Sequence, residues 1–194
     1  YIIPNGVDTD FFKPLERKKK YELVFIGNMG YPPNVNAAEF LAREILPEVQ
    51  KSRPSAGLML AGATPDKRVL ALKSEHVEVT GWVDDIRECY AAAKVFIAPM
   101  QIGTGLQNKL LEAMAMRIPS ITSPLANSAL CARPDHEILI GSNPQEYAAH
   151  INRLLDNSEY AVQIAEAGYR FVLDNYNWES ATAELDLIIQ SATR

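Results

Sequence analysis

The chain of 194 residues has the length of a single domain, and its 47% hydrophobic content excludes disorder and collagen-like repetition. Nineteen Lys and Arg against 24 Asp and Glu leave a net charge of −5, the wrong sign for a protein that grips nucleic-acid phosphates. Cys89 and Cys131 belong to no Cys-x-x-Cys or Cys/His cluster, so the sequence suggests neither a disulfide framework nor a zinc site and fits a reducing, intracellular setting.

Residues 1–20, YIIPNGVDTDFFKPLERKKK, read as a linker with a basic end, as though a longer protein preceded it. Arg17 to Lys20 are read as a solvated charge run. Short apolar runs then alternate with amphipathic ones. YELVFIG (21–27) is predicted to be a buried strand. Asn34, after Pro32 and Pro33, is read as the cap of a helix to about Leu46, which Pro47 kinks or ends. AGLMLAG (56–62) is a second strand, DKRVLALKS (66–74) a short helix, and VEVTGWV (77–83) a third strand. Asp84 or Asp85 caps a helix over 86–93. KVFIAPM (94–100) is a fourth strand, and the glycine-bearing loop 101–105 leads into a helix over 106–116. SITS (120–123) and EILIG (137–141) complete six strands, and helices are expected over 144–157, 158–175 and 178–190. No apolar run reaches the ~18–20 residues that span a bilayer.

Strands alternating with helices predict an α/β fold, a Rossmann-like doubly wound parallel sheet covered on both faces. Ligands in such sheets sit beyond the carboxyl ends of the strands, at the switch point, so the loops after strands one and four are the places to search. The first, GNMGYPPN (27–34), fails the dinucleotide fingerprint: its glycines are three apart, two prolines follow, and no acid closes strand two. Gly27 and Asn28 there either turn a corner or let backbone approach an anion. In the second loop, Gly103 and Gly105 flank Thr104 just before a helix, a ready place for phosphate. That helix is apolar almost all round, and its Asn108, Lys109 and Glu112 share one stripe. Two readings compete. Lys109 and Glu112 pair with each other, or Lys109 faces a phosphate while Glu112 accepts from sugar hydroxyls.

The stretch GTGLQNKLLEAMAM (103–116) followed by IPSITS resembles the donor-binding signature of family-4 (group 1) glycosyltransferases of the GT-B fold. IPNGVDTDFFKP, LVFIGNMGYPPNVNAAEF, LMLAGATP, VTGWVDDIRECYAAAKVFIAPM and YNWESATAELD follow in family order, so the resemblance covers nearly the whole chain. The QNKLLEAMAM variant and the PPNVNA helix start look closest to sugar transferases of bacterial exopolysaccharide and exosortase loci. The resemblance implies one half of a GT-B protein: linker 1–20, donor-binding domain 21–176 and a C-terminal helix 177–194. It implies a retaining, metal-independent hexosyl transfer from a UDP- or GDP-sugar, with no cofactor, to a glycan or lipid-linked acceptor. A derived, non-catalytic nucleotide- or protein-binding module is the alternative.

By resemblance Glu112 contacts the ribose, and Gly27, Asn28, Gly103, Thr104, Gly105, Leu106 and Lys109 surround the diphosphate. Trp82 and Val83 fall in the segment whose backbone recognises the base; for Trp82 itself, packing into the core is the favoured reading. Two departures stand out. Thr104 occupies the place of the family's first glutamate, and Asn28 that of its phosphate-binding arginine, so Lys109 is the candidate for the missing charge. Arg117 stands where family helices often end in Gly, implying a different cap or a kink. His76, His136 and His150 lie outside the candidate loops, and no catalytic residue is assigned. The acceptor-binding N-terminal domain is the implied partner, carrying any peripheral contact with the inner membrane face, and the fragment alone is expected to be inactive. Exposure of Trp178 and Leu187 would favour its dimerisation.

Overall fold

A computed structural model describes residues 5–103, 105–178, 182 and 189. Thr104, Leu187 and most of the predicted C-terminal helix therefore lie outside the described residues. Six strands form one sheet in the order β3-β2-β1-β4-β5-β6: β1 Tyr21–Ile26, β2 Leu58–Ala61, β3 Val77–Val79, β4 Ala93–Ala98, β5 Ser120–Thr122 and β6 Leu139–Ile140. Every neighbouring pair is parallel, and the order reverses between β1 and β4. After Glu22 and Lys94 near their starts, both central strands are continuous apolar runs because helices cover both faces: Leu23, Val24, Phe25, Phe96, Ile97 and Ala98 are all fully buried.

Helix α1 (Pro32–Phe40) runs through a π-helical turn, Leu41–Ile45, into α2 (Leu46–Gln50). Pro47 therefore does not end the helix. One wide turn, in which the Leu46 N–H reaches the Leu41 carbonyl, shifts the hydrogen-bond register just before the residue that has no N–H to give. Tyr31, not Asn34, is the N-cap, because Pro32 takes the first helical position, where its fixed φ fits. Helix α3 (Lys67–Leu70) is capped by Asp66 and α4 (Ile86–Ala91) by Asp85, each carboxylate accepting a first-turn amide.

Strand β3 stops at Val79, short of the expected Val83, because Gly81 turns the chain away at φ +70°. Helix α5 (Asn108–Ala115) begins two residues later than its pattern predicted, leaving Leu106 in the loop. It closes with Ile118 N–H bonded to the Ala113 carbonyl and Arg117 N–H to that of Met114. That is the left-handed cap that usually carries glycine, here with Arg117 at φ +53°, so neither a different cap nor a kink is needed. The guanidinium stacks 4.2 Å from the Tyr169 ring and lies 3.5 Å from Glu166, contacts glycine lacks.

Helix α6 (Pro124–Leu130) is an element the periodicity did not reveal; seven residues with Ser123 as cap and Pro124 at the first position are too short for a stripe. Helices α7 (Pro144–Asp156) and α8 (Ser158–Asn175) complete the layers, α7 against α2 and α8 against α5. The N-terminal segment packs onto this body. Val7 is buried and its N–H donates to the Tyr176 carbonyl at 2.8 Å, while Phe12 meets Tyr90 edge-on. Arg17 to Lys20 are exposed, as expected of a solvated run.

Candidate functional site

The parallel order places the ends of β1 and β4 on either side of the switch point, and a cleft of about 390 Å³ opens beside it. Gly27, Asn28, Trp82, Val83 and Glu112 line it together, from three separate loops or helices. Phe11 and Phe12 of the N-terminal segment close one side. Larger concavities lie elsewhere, about 570 Å³ between α8 and residues 133–137 and about 700 Å³ at the amino ends of β1 and β3. Those two take in His136 and His76 respectively, while the His150 ring faces the Ile140 carbonyl at 3.0 Å. Position in the fold, not size, selects the site.

Trp82 is 76% exposed, which overturns the core-packing reading. The strand that would have carried it inward ends three residues earlier, and its indole stands at the rim of the cleft. The Lys109–Glu112 pair does not form either: among the described residues, neither makes a direct ion pair. Instead the Tyr90 hydroxyl donates to Glu112 Oε2 at 2.7 Å, and Lys109 Nζ donates to Asn34 Oδ1 at 2.5 Å while lying 5.1 Å from the Phe25 ring centroid. Burial lowers the Lys109 pKa to about 8, against the opposing pull of Glu112. Burial also raises the Glu112 carboxyl, with the Tyr90 hydrogen bond and the nearby ammonium working the other way. Tyr90 stays protonated, its pKa pushed well up by burial.

The loop after β1 is braced from within. Asn28 Oδ1 accepts from the Gly30 N–H at 2.9 Å and the Thr64 hydroxyl at 2.7 Å, while Thr64 itself sits at φ +49°, unusual for a β-branched residue. A Cβ on Gly27 would lie 2.7 Å from Asn34 Nδ2, so this glycine makes room for a side chain as well as bordering the cleft. Across the switch point, Gly103 and Gly105 both take positive φ near +100°, Gly103 beside Pro33 and Gly105 in open space. Leu106 is half-buried between them and α5. Gln107 is the N-cap of α5, but its side-chain amide donates back to the Gly105 carbonyl at 3.2 Å and accepts from no first-turn N–H, so the positive end of this helix is not closed by its own cap residue. Tyr90, Asn34 and Thr64 are parts of this arrangement that the sequence does not single out; Asn34 reads there only as a helix cap.

An all-parallel sheet of this order, with a cleft at its switch point, defines a Rossmann-like α/β domain. The profile of the family described as Glycosyl transferases group 1 matches residues 20–157. The chain belongs to that family, and its fold is one Rossmann-like half of the GT-B architecture. It is 26% identical over 212 aligned residues to a GDP-mannose-dependent alpha-(1-6)-phosphatidylinositol monomannoside mannosyltransferase of Mycobacterium tuberculosis, covering 94% of the chain and 54% of that protein. An uncharacterized 44.6 kDa protein in the cps region of Klebsiella pneumoniae is 21% identical, over 80% of the chain and 42% of its own length. The chain thus spans about half the length of these curated relatives. Among solved structures, Anabaena HepE in complex with UDP superposes with a TM-score of 0.82 at 13% identity, over 98% of the chain and 57% of HepE.

Proposed function

We propose that the chain is the donor-binding domain of a retaining, metal-independent glycosyltransferase that moves a hexosyl group from a UDP- or GDP-sugar to a glycan or lipid-linked acceptor. The observation that carries this reading is convergence. Gly27, Asn28, Trp82, Val83 and Glu112 share one cleft at the switch point, and Glu112 stands one turn along α5 from Lys109 and from the helix end that its cap residue leaves open. In this reading the helix end and Lys109 hold the diphosphate and stabilise the charge that develops on it as the sugar leaves. Glu112, one oxygen held by Tyr90, offers the other to the ribose hydroxyls. Trp82 stacks on the base, and the Val83 backbone reads its edge.

The curated relatives support the assignment through the GDP-mannose dependence of one. The acceptor site and the groups that complete transfer belong to an N-terminal domain across the cleft, which also carries any contact with the inner membrane face. Among the described residues no helix is long and apolar enough to cross a membrane. A second reading, a nucleotide- or protein-binding module without catalysis, draws on Thr104, a hydroxyl where the family places a carboxylate.

Calorimetry with UDP, GDP and ADP in EDTA tests the proposal. We expect weak binding of UDP or GDP, weakened about tenfold or more in Lys109→Ala, since charge-assisted contacts to phosphate are the strong ones. No sugar transfer is expected from the 194-residue chain alone. Affinity equal to wild type in Lys109→Ala, or binding of none of the three nucleotides, would sink the donor reading.

A further inference from the structure

We propose that Asn34 is a positioning residue that aims the Lys109 ammonium at the diphosphate end of the cleft and couples it to the glycine loop after β1. The proposal rests on the donor-binding reading for the ligand, and on geometry for the coupling. Asn34 lies in the first turn of α1 and is 5% exposed. Its two amide atoms are used in opposite directions. Oδ1 accepts from Lys109 Nζ at 2.5 Å, across 75 residues of sequence. Nδ2 donates to the Asn28 carbonyl at 2.9 Å. Gly27 leaves the space this amide occupies, since a Cβ there would approach Nδ2 to 2.7 Å. The carboxamide thus bridges the loop after β1 and the first turn of α5, on the two sides of the switch point.

A lysine needs such a bridge more than an arginine would. Its charge rides on a flexible stem, and it loses its proton readily when desolvated. Lys109 is desolvated, and its pKa stands near 8. The groups facing it are Glu112 on its own helix, the Phe25 ring from β1, Tyr90 from α4, whose hydroxyl lies 3.2 Å from the Lys109 carbonyl, and Asn34 from α1. Only the last accepts a hydrogen bond from the ammonium. An acceptor on the charged form favours that form, so Asn34 both points the side chain and helps to keep it charged.

The test is the pH dependence of UDP and GDP binding by the 194-residue chain and its variants. The bound form needs the ammonium, so wild-type affinity is highest at lower pH and falls as pH rises through about 8. Asn34→Ala removes the acceptor; the falling limb moves about one pH unit lower, and affinity at neutral pH drops about tenfold. Asn34→Asp puts a carboxylate against the ammonium, and the limb moves to higher pH whatever happens to the absolute affinity. Opposite displacement of the limb is the signature of contact with the titrating group. Uniform weakening at every pH, with the limb unmoved in both variants, would overturn the proposal.

Should the variants fail to fold, the wild-type chain still decides. The Asn34 side-chain amide resonances titrate with an apparent pKa near 8 if the contact is as described, and this titration disappears in Lys109→Met. Resonances that ignore the titration overturn the coupling. The underlying reading fails separately: nucleotide affinity unchanged in Lys109→Met removes the donor assignment while leaving the Asn34–Lys109 contact measurable.

Discussion

A single missing methyl group governs how two loops of this protein meet. Gly62 sits at φ +134°, and a Cβ placed there would fall 1.9 Å from the Gly27 carbonyl oxygen, an overlap with backbone that no rotamer change relieves. Gly62→Ala should therefore cost about 3 kcal/mol or more, and carry nucleotide binding down with it. Gly81→Ala, at φ +70° with open space around it, should cost only about 1–2 kcal/mol of backbone strain. Urea unfolding of the two variants checks the contrast, and equal losses would contradict it. Residues of this kind divide sharply in how legible they are. Glu112 could be read from sequence because a carboxylate among Leu110, Leu111, Ala113 and Met114 is conspicuous, and burial of a charge demands a partner. Asn34 could not. After two prolines a lone asparagine looks like a helix cap, and its real partner stands 75 positions away. Tyr90 was hidden for the opposite reason, since an aromatic ring at a core position shows nothing of what its hydroxyl holds.

At the scale of elements, hydrophobic period found all six strands, because buried parallel strands are short apolar runs bounded by turns. Their ends were read too generously, most at β3, where Gly81 ends the pairing before the apolar pattern ends. Period was blind to α6, whose two turns give no stripe, and there the cap residue carries the element. Ser123 Oγ accepts from the Ala126 N–H at 3.2 Å and donates to the Met100 carbonyl at 2.6 Å, joining the start of α6 to the end of β4. Ser123→Ala removes both bonds and leaves a buried carbonyl unpaired, so a loss of about 1–3 kcal/mol is expected in chemical denaturation. A loss below the error of the measurement would show that water or a local shift replaces the serine. Pro47 teaches a related point. A proline inside a helix forbids one hydrogen bond but not the helix, provided the turn before it widens.

The whole molecule joins its parts around one edge. The sheet order puts the site between β1 and β4, and the cleft draws on the N-terminal segment, the loop after β1, the loop after β3 and helix α5. The chain's two tryptophans fall in contrasting places. Trp178 is 51% exposed and rests on Gly6, whose missing Cβ would lie 2.8 Å from the indole. Trp82 projects from the cleft with nothing stacked on it among the described residues. The protein thus carries its own optical reporter. An indole that stands in water emits at long wavelength, and a nucleobase laid against it would quench that light. In Trp178→Phe the remaining signal comes from Trp82 alone, and titration with UDP or GDP should dim it with the same midpoint that calorimetry gives. Emission that stays constant while heat is released would place the base elsewhere in the cleft. On the proposed placement of the base, one side chain left in solvent would make occupancy of the site visible without a label.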